Sequence, residues 1–200
     1  MGNVEDIENQ KDGKLRSEIE RIARAKTDLG EFDSLYREYF PRINNFVYHR
    51  VGNESEKNEI VSNVFFKAMN KLHLFRFIDS HRSSFSSWLY RIAVNEVNQY
   101  YRNRKREKNI STMYQHNYVE EPEEKPDPEV SYKILRKVMQ HLKEDEQNLI
   151  TLRYFQKLSI REVAEVLHKS EGAVKVKLHR TMKKLRGLME KEGDYEKLRK

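Results

Sequence analysis

The chain contains no cysteine among its 200 residues, which excludes disulfide bonds, thiolate metal sites and cysteine nucleophiles. It also has no apolar run near the roughly 20 residues that a membrane-spanning helix needs. The opening segment, MGNVEDIENQKDGK, is charged and lacks the apolar stretch of a signal peptide. These absences predict a cytoplasmic protein without membrane insertion.

Patterns that carry catalysis are missing as well. The chain has no glycine-rich phosphate loop and no HExxH or comparable metal spacing, and its seven histidines are scattered. The densest group of carboxylates lies in a proline-containing stretch, which is a poor place to hold a catalytic pair. We therefore expect no catalytic residue, no metal site and no cofactor.

What the chain does have is positive charge. Lys and Arg number 39 against 32 Asp and Glu, which gives a net charge of +7 and a pI of about 9.4. This balance favours a polyanionic partner, although charge alone does not separate DNA from RNA or a membrane. Hydrophobic residues are 37% and charged residues 36%, as expected for small helical domains with charged faces.

Three of the four prolines fall in one acidic stretch, VEEPEEKPDPEV. Proline blocks helix continuation and like charges repel, so this stretch is predicted to be an extended linker. The N-terminal extension carries a few apolar residues that could support a short helix, with disorder as the alternative. The predicted divisions are an extension 1–29, a front domain 30–108, a linker 109–130, a back domain 131–192 and a tail 193–200.

The front domain has helical spacing throughout. A first helix is predicted around Phe32–Tyr39, and Pro41 is expected to restart another as a first-turn residue. Asn53 or Ser55 should cap a third helix, and Ser84 should cap the longest one. In the longest helix the apolar residues recur at i, i+3 and i+4. No strand pattern is present, and the predicted fold class is all-α, with two small helical domains joined by the acidic linker.

In the back domain, two helices around 134–142 and 147–155 are predicted to precede a helix-turn-helix at 159–187. Ser159 and Glu162 form a capping box, and Ser170 is expected to cap the second helix. Val174, Leu178, Met182 and Leu185 should face inward. Val176, exposed among basic residues, could pack against a thymine methyl. A solvated basic helix with one exposed valine is the alternative, but the caps favour a helix that enters a DNA groove.

The longest helix ends in a basic and aromatic sequence, YYRNRKREK at 100–108. Arg and Lys attract phosphates, and aromatic faces can stack on unpaired bases at roughly 1–3 kcal/mol each. Phe85 and Trp88 are assigned to the core, whereas Tyr90, Tyr100 and Phe77 suit core and base contact equally. A surface for single strands in front is thus paired with a duplex-binding helix behind.

That pairing resembles the extracytoplasmic-function sigma factors, the compact two-domain branch of the sigma-70 family. The resemblance covers nearly all of residues 31–190. In the front domain it rests on EIVSNVFFKA at 59–68 and on FSSWLYRIAVN at 85–95 with its basic tail. In the back domain it rests on LITLRYF at 149–155, SIREVA at 159–164 and GAVK at 172–175 through His179-Arg180.

The resemblance implies binding to core RNA polymerase, recognition of the −35 element by the back domain and opening of the −10 element by the front domain. It places −35 contacts on Ser170, Glu171, Ala173, Lys175, Val176, His179, Arg180 and Lys183. It places −10 contacts on Arg76, Phe77, Ser80, His81, Arg82, Tyr90, Arg91, Asn95, Asn98, Gln99, Arg102 and Lys105.

Polymerase docking is likewise implied by the resemblance. Clamp helices of the largest subunit should meet Glu59, Ser62, Asn63, Phe66, Lys67 and Asn70, and the flap region is a further expected contact. The family often has a glutamine and an acidic residue where Ser62 and Asn63 stand, and the loop at 75–85 is a few residues longer than usual. An anti-sigma factor is a further expected partner.

The sequence is also compatible with two other classes of function. A conventional helix-turn-helix regulator would bind duplex DNA without polymerase, but it would have no use for the tyrosine-rich basic helix. A DNA-processing enzyme such as a recombinase would need a nucleophilic Ser or Tyr with an arginine cluster, or an acidic metal triad. Strand cleavage would distinguish the recombinase.

Overall fold

The computed structural model describes residues 4–51, 53–77, 84–111, 135 and 137–191. Every regular element in these ranges is a helix, which confirms the predicted all-α class. The linker core 112–134, the tail 192–200 and loop residues 78–83 lie outside the described residues. The linker prediction therefore stays a prediction, except that α-helix continues to Ser111 and so covers the first three residues of the predicted linker.

The front unit consists of four α-helices. They are α1 (Val4–Thr27), α2 (Phe32–Tyr48), α3 (Glu54–Lys71) and α4 (Phe85–Ser111), with short 3₁₀ turns at Leu29–Glu31 and Leu72–Leu74. Helices α2, α3 and α4 pack mutually around fully buried side chains such as Leu35, Ile43, Val64 and Leu89. As predicted, Asn53 caps α3, accepting from Ser55 N–H at 2.8 Å, and Ser84 caps α4, accepting from Ser87 N–H at 3.0 Å.

One expectation for the front unit was wrong, and of the two alternatives for the N-terminal extension the helix is observed. Pro41 does not restart a helix, since α2 passes through it without interruption. Buried residues on both sides, Tyr39 before and Ile43 after, keep one apolar stripe in register, and its burial outweighs the lost N–H bond. The N-terminal extension forms the long helix α1, whose Ile22 and Ala25 are buried.

The back unit contains α5 (Glu144–Ile150), a π-helical turn (Thr151–Phe155), α6 (Ile160–Leu167) and α7 (Glu171–Lys191). The capping box at α6 is confirmed, with Glu162 N–H donating to Ser159 Oγ at 3.2 Å and Ser159 N–H donating to the Glu162 carboxylate at 2.7 Å. His168 takes left-handed backbone angles, φ 51°, and makes the sharp turn into α7. The predicted helix-turn-helix is therefore α6 and α7.

The two units pack against each other through α4 and α6. One cluster of buried apolar side chains runs without a break from the front helices into Leu149, Leu152, Val163 and Val174 of the back unit. A second, smaller cluster around Val138 and Leu185 lies within the back unit. The contact between units thus has an apolar interior as well as polar bonds at its edge.

Candidate nucleic-acid interface

Helix α7 presents a basic face to solvent. Val174 and Leu185 are buried against α5 and α6, and Ser170 Oγ accepts from Ala173 N–H at 3.2 Å, as expected of its cap. Val176 lies outward with half of its surface exposed (51%). The exposed residues of the predicted −35 set are Ser170, Glu171, Ala173, Lys175, Val176, His179, Arg180 and Lys183.

Two other lysines of α7 are held by carboxylates from the start of α5. Lys177 pairs with Asp145, and Lys184 lies 2.8 Å from Glu146. Partial burial acts to raise the pKa of both carboxyl groups, but the hydrogen bonds and charges of the lysines outweigh it, and both pKa values are lowered. These pairs fix α5 against the flank of the exposed basic face.

Apart from Tyr90, the predicted −10 residues of α4 divide into two groups. Asn95, Gln99, Arg102 and Lys105 are exposed. Arg102 donates to the Gln99 side-chain oxygen at 2.7 Å, and Gln99 Nε2 donates to Asn103 at 3.0 Å. This row of amides and guanidinium groups on a rigid helix can bind phosphates and base edges.

The second group faces the back unit. Arg91 donates to the carbonyl of Glu165 on α6 at 3.0 Å, and Asn98 accepts from Asn148 Nδ2 on α5 at 2.9 Å. Burial lowers the pKa of Arg91, with the charge of Glu165 acting in the opposite sense. Both side chains are therefore engaged in hydrogen bonds between the front and back units.

Tyr90 lies in the core, which removes it from the predicted DNA-contacting set. Only 2% of it is exposed, its ring meets Phe46 edge-on at 5.8 Å, and its hydroxyl lies 3.1 Å from the Gln156 side-chain amide. Burial raises its pKa to about 12. The sequence left core packing and base contact open for Tyr90, and the structure shows core packing. Its position on α4, one residue from the buried Leu89, was compatible with either.

The residues before the undescribed part of the loop form an aromatic base. Phe75 is buried and packs at 5.3 Å from Trp88 and 4.8 Å from Phe77. Phe77 is half-buried and Arg76 is exposed. Ser80, His81 and Arg82 of the predicted −10 set lie outside the described residues.

Helix α3 presents the predicted polymerase contacts on one exposed face. Glu59, Ser62, Asn63, Phe66 and Asn70 are exposed, and Phe66 exposes 59% of its surface. Lys67 is half-exposed and lies 2.7 Å from Glu96 of α4. Sequence patterns gave no signal for Tyr36 of α2, an exposed aromatic residue whose ring lies 4.7 Å from that of the buried Phe65 of α3.

Two negative findings hold for the described ranges only. Among these residues no group of His, Asp and Glu side chains is placed to hold a metal ion. No helix there is long and apolar enough to cross a membrane.

Comparisons with known proteins agree with this architecture. The family model "Sigma-70 region 2" matches residues 35–107, and "Sigma-70, region 4" matches residues 132–185. RNA polymerase sigma factor YlaC of Bacillus subtilis is 31% identical over 83% of this chain and 96% of its own. ECF RNA polymerase sigma factor SigW of the same organism is 30% identical over 86% and 95%.

A further relative and two solved structures agree with this architecture, although that relative is longer than this chain. ECF RNA polymerase sigma factor BldN of Streptomyces coelicolor is 29% identical over 86% of this chain, which spans only 64% of BldN. Among solved structures, CnrH in complex with the cytosolic domain of CnrY has a TM-score of 0.63 at 19% identity, covering 86% and 97%. RpoE in complex with the anti-sigma factor NepR from Bartonella quintana has 0.61 at 19%, covering 80% and 97%. These two structures share the fold.

The fold and the two exposed basic faces define a two-domain sigma-70-type transcription initiation factor, with region 2 in front and region 4 behind. Within that class, the chain belongs to the extracytoplasmic-function (ECF) sigma factors of RNA polymerase.

Proposed function

We propose that the chain docks on core RNA polymerase through α3, binds −35 duplex with α7 and opens the −10 element with the exposed row of α4 and the start of the loop. The observation that carries the proposal is the division of exposed side chains among these three faces. A conventional regulator would need only the basic face of α7.

The −35 assignment is supported by the geometry of α7. Its N-terminal half is capped, basic and solvent-exposed, and the small Ala173 and Gly172 allow close approach of the helix to a groove. Lys175 and Arg180 can reach base edges or phosphates, and a good bidentate base contact is worth roughly 1–3 kcal/mol of discrimination.

The −10 assignment is supported by chemistry that suits a separated strand. Asn95, Gln99 and Arg102 lie in a row on α4, next to the aromatic base formed by Phe75 and Phe77. Flipping a base out of a duplex costs a few kcal/mol, which phosphate contacts and a base pocket must offset. Arg91 and Asn98 would join this surface once α6 and α5 move away.

Polymerase docking is supported by the exposed Phe66 within a polar rim. Isolated aromatic side chains at the centre of a polar patch commonly dominate protein interfaces.

Further parts of the proposal concern setting and partners. We place the protein in the cytoplasm, where the polymerase acts, without catalysis of its own. The flap region of the polymerase would receive the back unit, and an anti-sigma factor would regulate access to the exposed faces.

Reconstitution tests the proposal. Purified full-length protein is added to core polymerase and run-off transcription is measured on fragmented genomic DNA, with Arg180→Ala as a −35 variant. Polymerase-dependent, promoter-specific transcripts that Arg180→Ala reduces without weakening polymerase binding are expected. Tight, sequence-specific duplex binding by the protein alone, with no transcripts, would favour the conventional regulator.

A further inference from the structure

The last turns of α1 lie against the residues that begin the −10 loop. Lys26 Nζ donates to the backbone carbonyl of Phe75 at 2.5 Å, and the same ammonium lies 5.9 Å from the centre of the Phe75 ring. Ile22, one helical turn before Lys26, and Ala25, the residue just before it, are both buried. A segment outside the two matched family regions therefore contacts the base of the loop.

Helix α1 is itself fixed to the front unit, so this contact has a rigid support. Arg21 pairs with Glu38 of α2 at 2.5 Å, and the Tyr39 hydroxyl donates to Glu18. Burial, followed by the charge of Glu18, raises the pKa of Tyr39. Lys26 thus extends from a helix that is anchored by apolar and polar contacts.

Phe75 is where the chain leaves helical geometry. It has extended backbone angles, φ −66° and ψ 131°, and its N–H donates to Leu72 O at 3.0 Å. Its ring is held by Phe85 at 5.5 Å and by Trp88. The carbonyl of Phe75, which sets the direction of the next peptide, is held by Lys26.

We infer that Lys26 is a positioning residue for −10 recognition: it fixes the peptide from which Arg76 and Phe77 extend toward the separated strand. The inference rests on the proposed function and adds α1 to the melting apparatus. A hydrogen bond from a charged donor to a carbonyl is among the stronger ones in proteins. Without it, the carbonyl of Phe75 would have no fixed donor, the peptide that leads to Arg76 and Phe77 would be held less firmly, and productive capture of a base would become rarer.

The test uses full-length Lys26→Met with core polymerase. Methionine keeps an unbranched side chain over the Phe75 ring and removes the donor. Because the variant loses one hydrogen bond from a charged group, we expect it to form the open complex on a duplex promoter about tenfold more slowly than wild type. The permanganate reactivity of the −10 thymines measures this rate. A template with a pre-melted −10 bubble should bring the variant to within about twofold of wild type, and Lys26→Arg should stay close to wild type on both templates.

Arg24→Met is the matched control. It removes one positive charge from the same turn of α1 and breaks an exposed ion pair with Glu31, without touching Phe75. It should melt the promoter like wild type. Polymerase affinity and −35 binding should be unchanged in both variants.

Several results would overturn the inference. Equal melting by Lys26→Met and wild type would do so, as would a defect of the same size on duplex and bubble templates. A fall of about 0.9 in the salt slope of promoter binding would instead make Lys26 a phosphate contact. If wild type itself gave no polymerase-dependent initiation, the proposed function would fail first.

Discussion

The guanidinium of Arg50, in the front unit, donates from Nε to the side-chain oxygen of Asn148, in the back unit, at 3.0 Å. Arg50 also donates to Gln147, lies 5.3 Å from the centre of the Tyr101 ring and is 5% exposed. Burial lowers its pKa. Its bonds to Asn148 and Gln147 are charge-assisted hydrogen bonds to neutral amides, and they tie the front unit to the back unit.

Arg50→Ala should shift the protein toward separated units. The change leaves the side-chain oxygens of the buried Asn148 and the half-buried Gln147 without the donor that Arg50 supplies. This should cost the form in which the two units are packed together roughly 1–3 kcal/mol. Small-angle scattering should show a larger radius of gyration, and Arg91 and Asn98 should become accessible. Arg102→Ala, which changes the same charge on the exposed row of α4, should leave the scattering curve unchanged. Identical curves for Arg50→Ala and wild type would contradict the prediction.

Phe66→Ala should weaken polymerase binding without affecting folding. With most of its surface in solvent, its loss should change the free energy of unfolding by less than about 0.5 kcal/mol. Because a central aromatic side chain of the interface is lost, the Kd for core polymerase should rise by about tenfold. Tyr154→Ala, which removes another half-exposed aromatic (49%) from the back unit, is the control. Equal effects of the two substitutions on Kd would count against α3 as the docking face.

Asp145→Asn should strengthen non-specific DNA binding by releasing Lys177. One additional phosphate contact should steepen the dependence of log K on log salt by about 0.9. Glu190→Gln makes the same change in net charge at an exposed position of α7 and should leave the slope as in wild type. The prediction fails if both variants steepen the slope equally.

The contact between α5 and α7 should weaken in acid. The pKa values of Asp145 and Glu146 are lowered from their ordinary values of 3.8 and 4.5. Their contribution to stability is therefore complete above those ordinary values and is lost as the pH falls below them. Urea midpoints of wild type and of the double variant Asp145→Asn, Glu146→Gln should differ near neutral pH and converge in acid. A gap that stays constant with pH would mean that these carboxylates do not stabilise the fold through their charge.

Lys157→Gly should stabilise the back unit. Lys157 has left-handed backbone angles, φ 57°, and is exposed. Relief of that strain, less the added entropy of glycine in the unfolded chain, predicts a gain of about 0.5–1 kcal/mol in the free energy of unfolding. Lys169→Gly, an exposed lysine outside the left-handed region, should give no such gain in a urea titration.

The sequence predictions that the structure confirms rest on local patterns, namely helix caps and helical spacing. Capping signals at Asn53, Ser84, Ser159 and Ser170 act within three residues, so each helix start could be predicted from neighbours alone. The outward face of α7 followed from helical spacing in the same way.

Predictions that needed distant contacts were wrong or incomplete. The Tyr90 ring packs on Phe46 of α2 and its hydroxyl meets Gln156, while Asn98 accepts from Asn148, 50 residues later in the chain. Helical spacing along α4 alone could not reveal these contacts. Pro41 signals a helix start in isolation, but the packing of α2 on α3 keeps it mid-helix. Lys26 lies in a charged stretch of the sequence, and its hydrogen-bond partner, the carbonyl of Phe75, is 49 residues away.

The unbroken apolar cluster from α2 to α7 has a consequence for heat denaturation. Because Leu149, Leu152 and Val163 share their buried surroundings with the front helices, melting either unit exposes surface on the other. Calorimetry of the protein with its two units packed together should therefore give a single endotherm whose calorimetric and van't Hoff enthalpies agree. Conditions that separate the units should divide it in two. The shape of the endotherm would then report directly on the fraction of molecules whose region 4 is free.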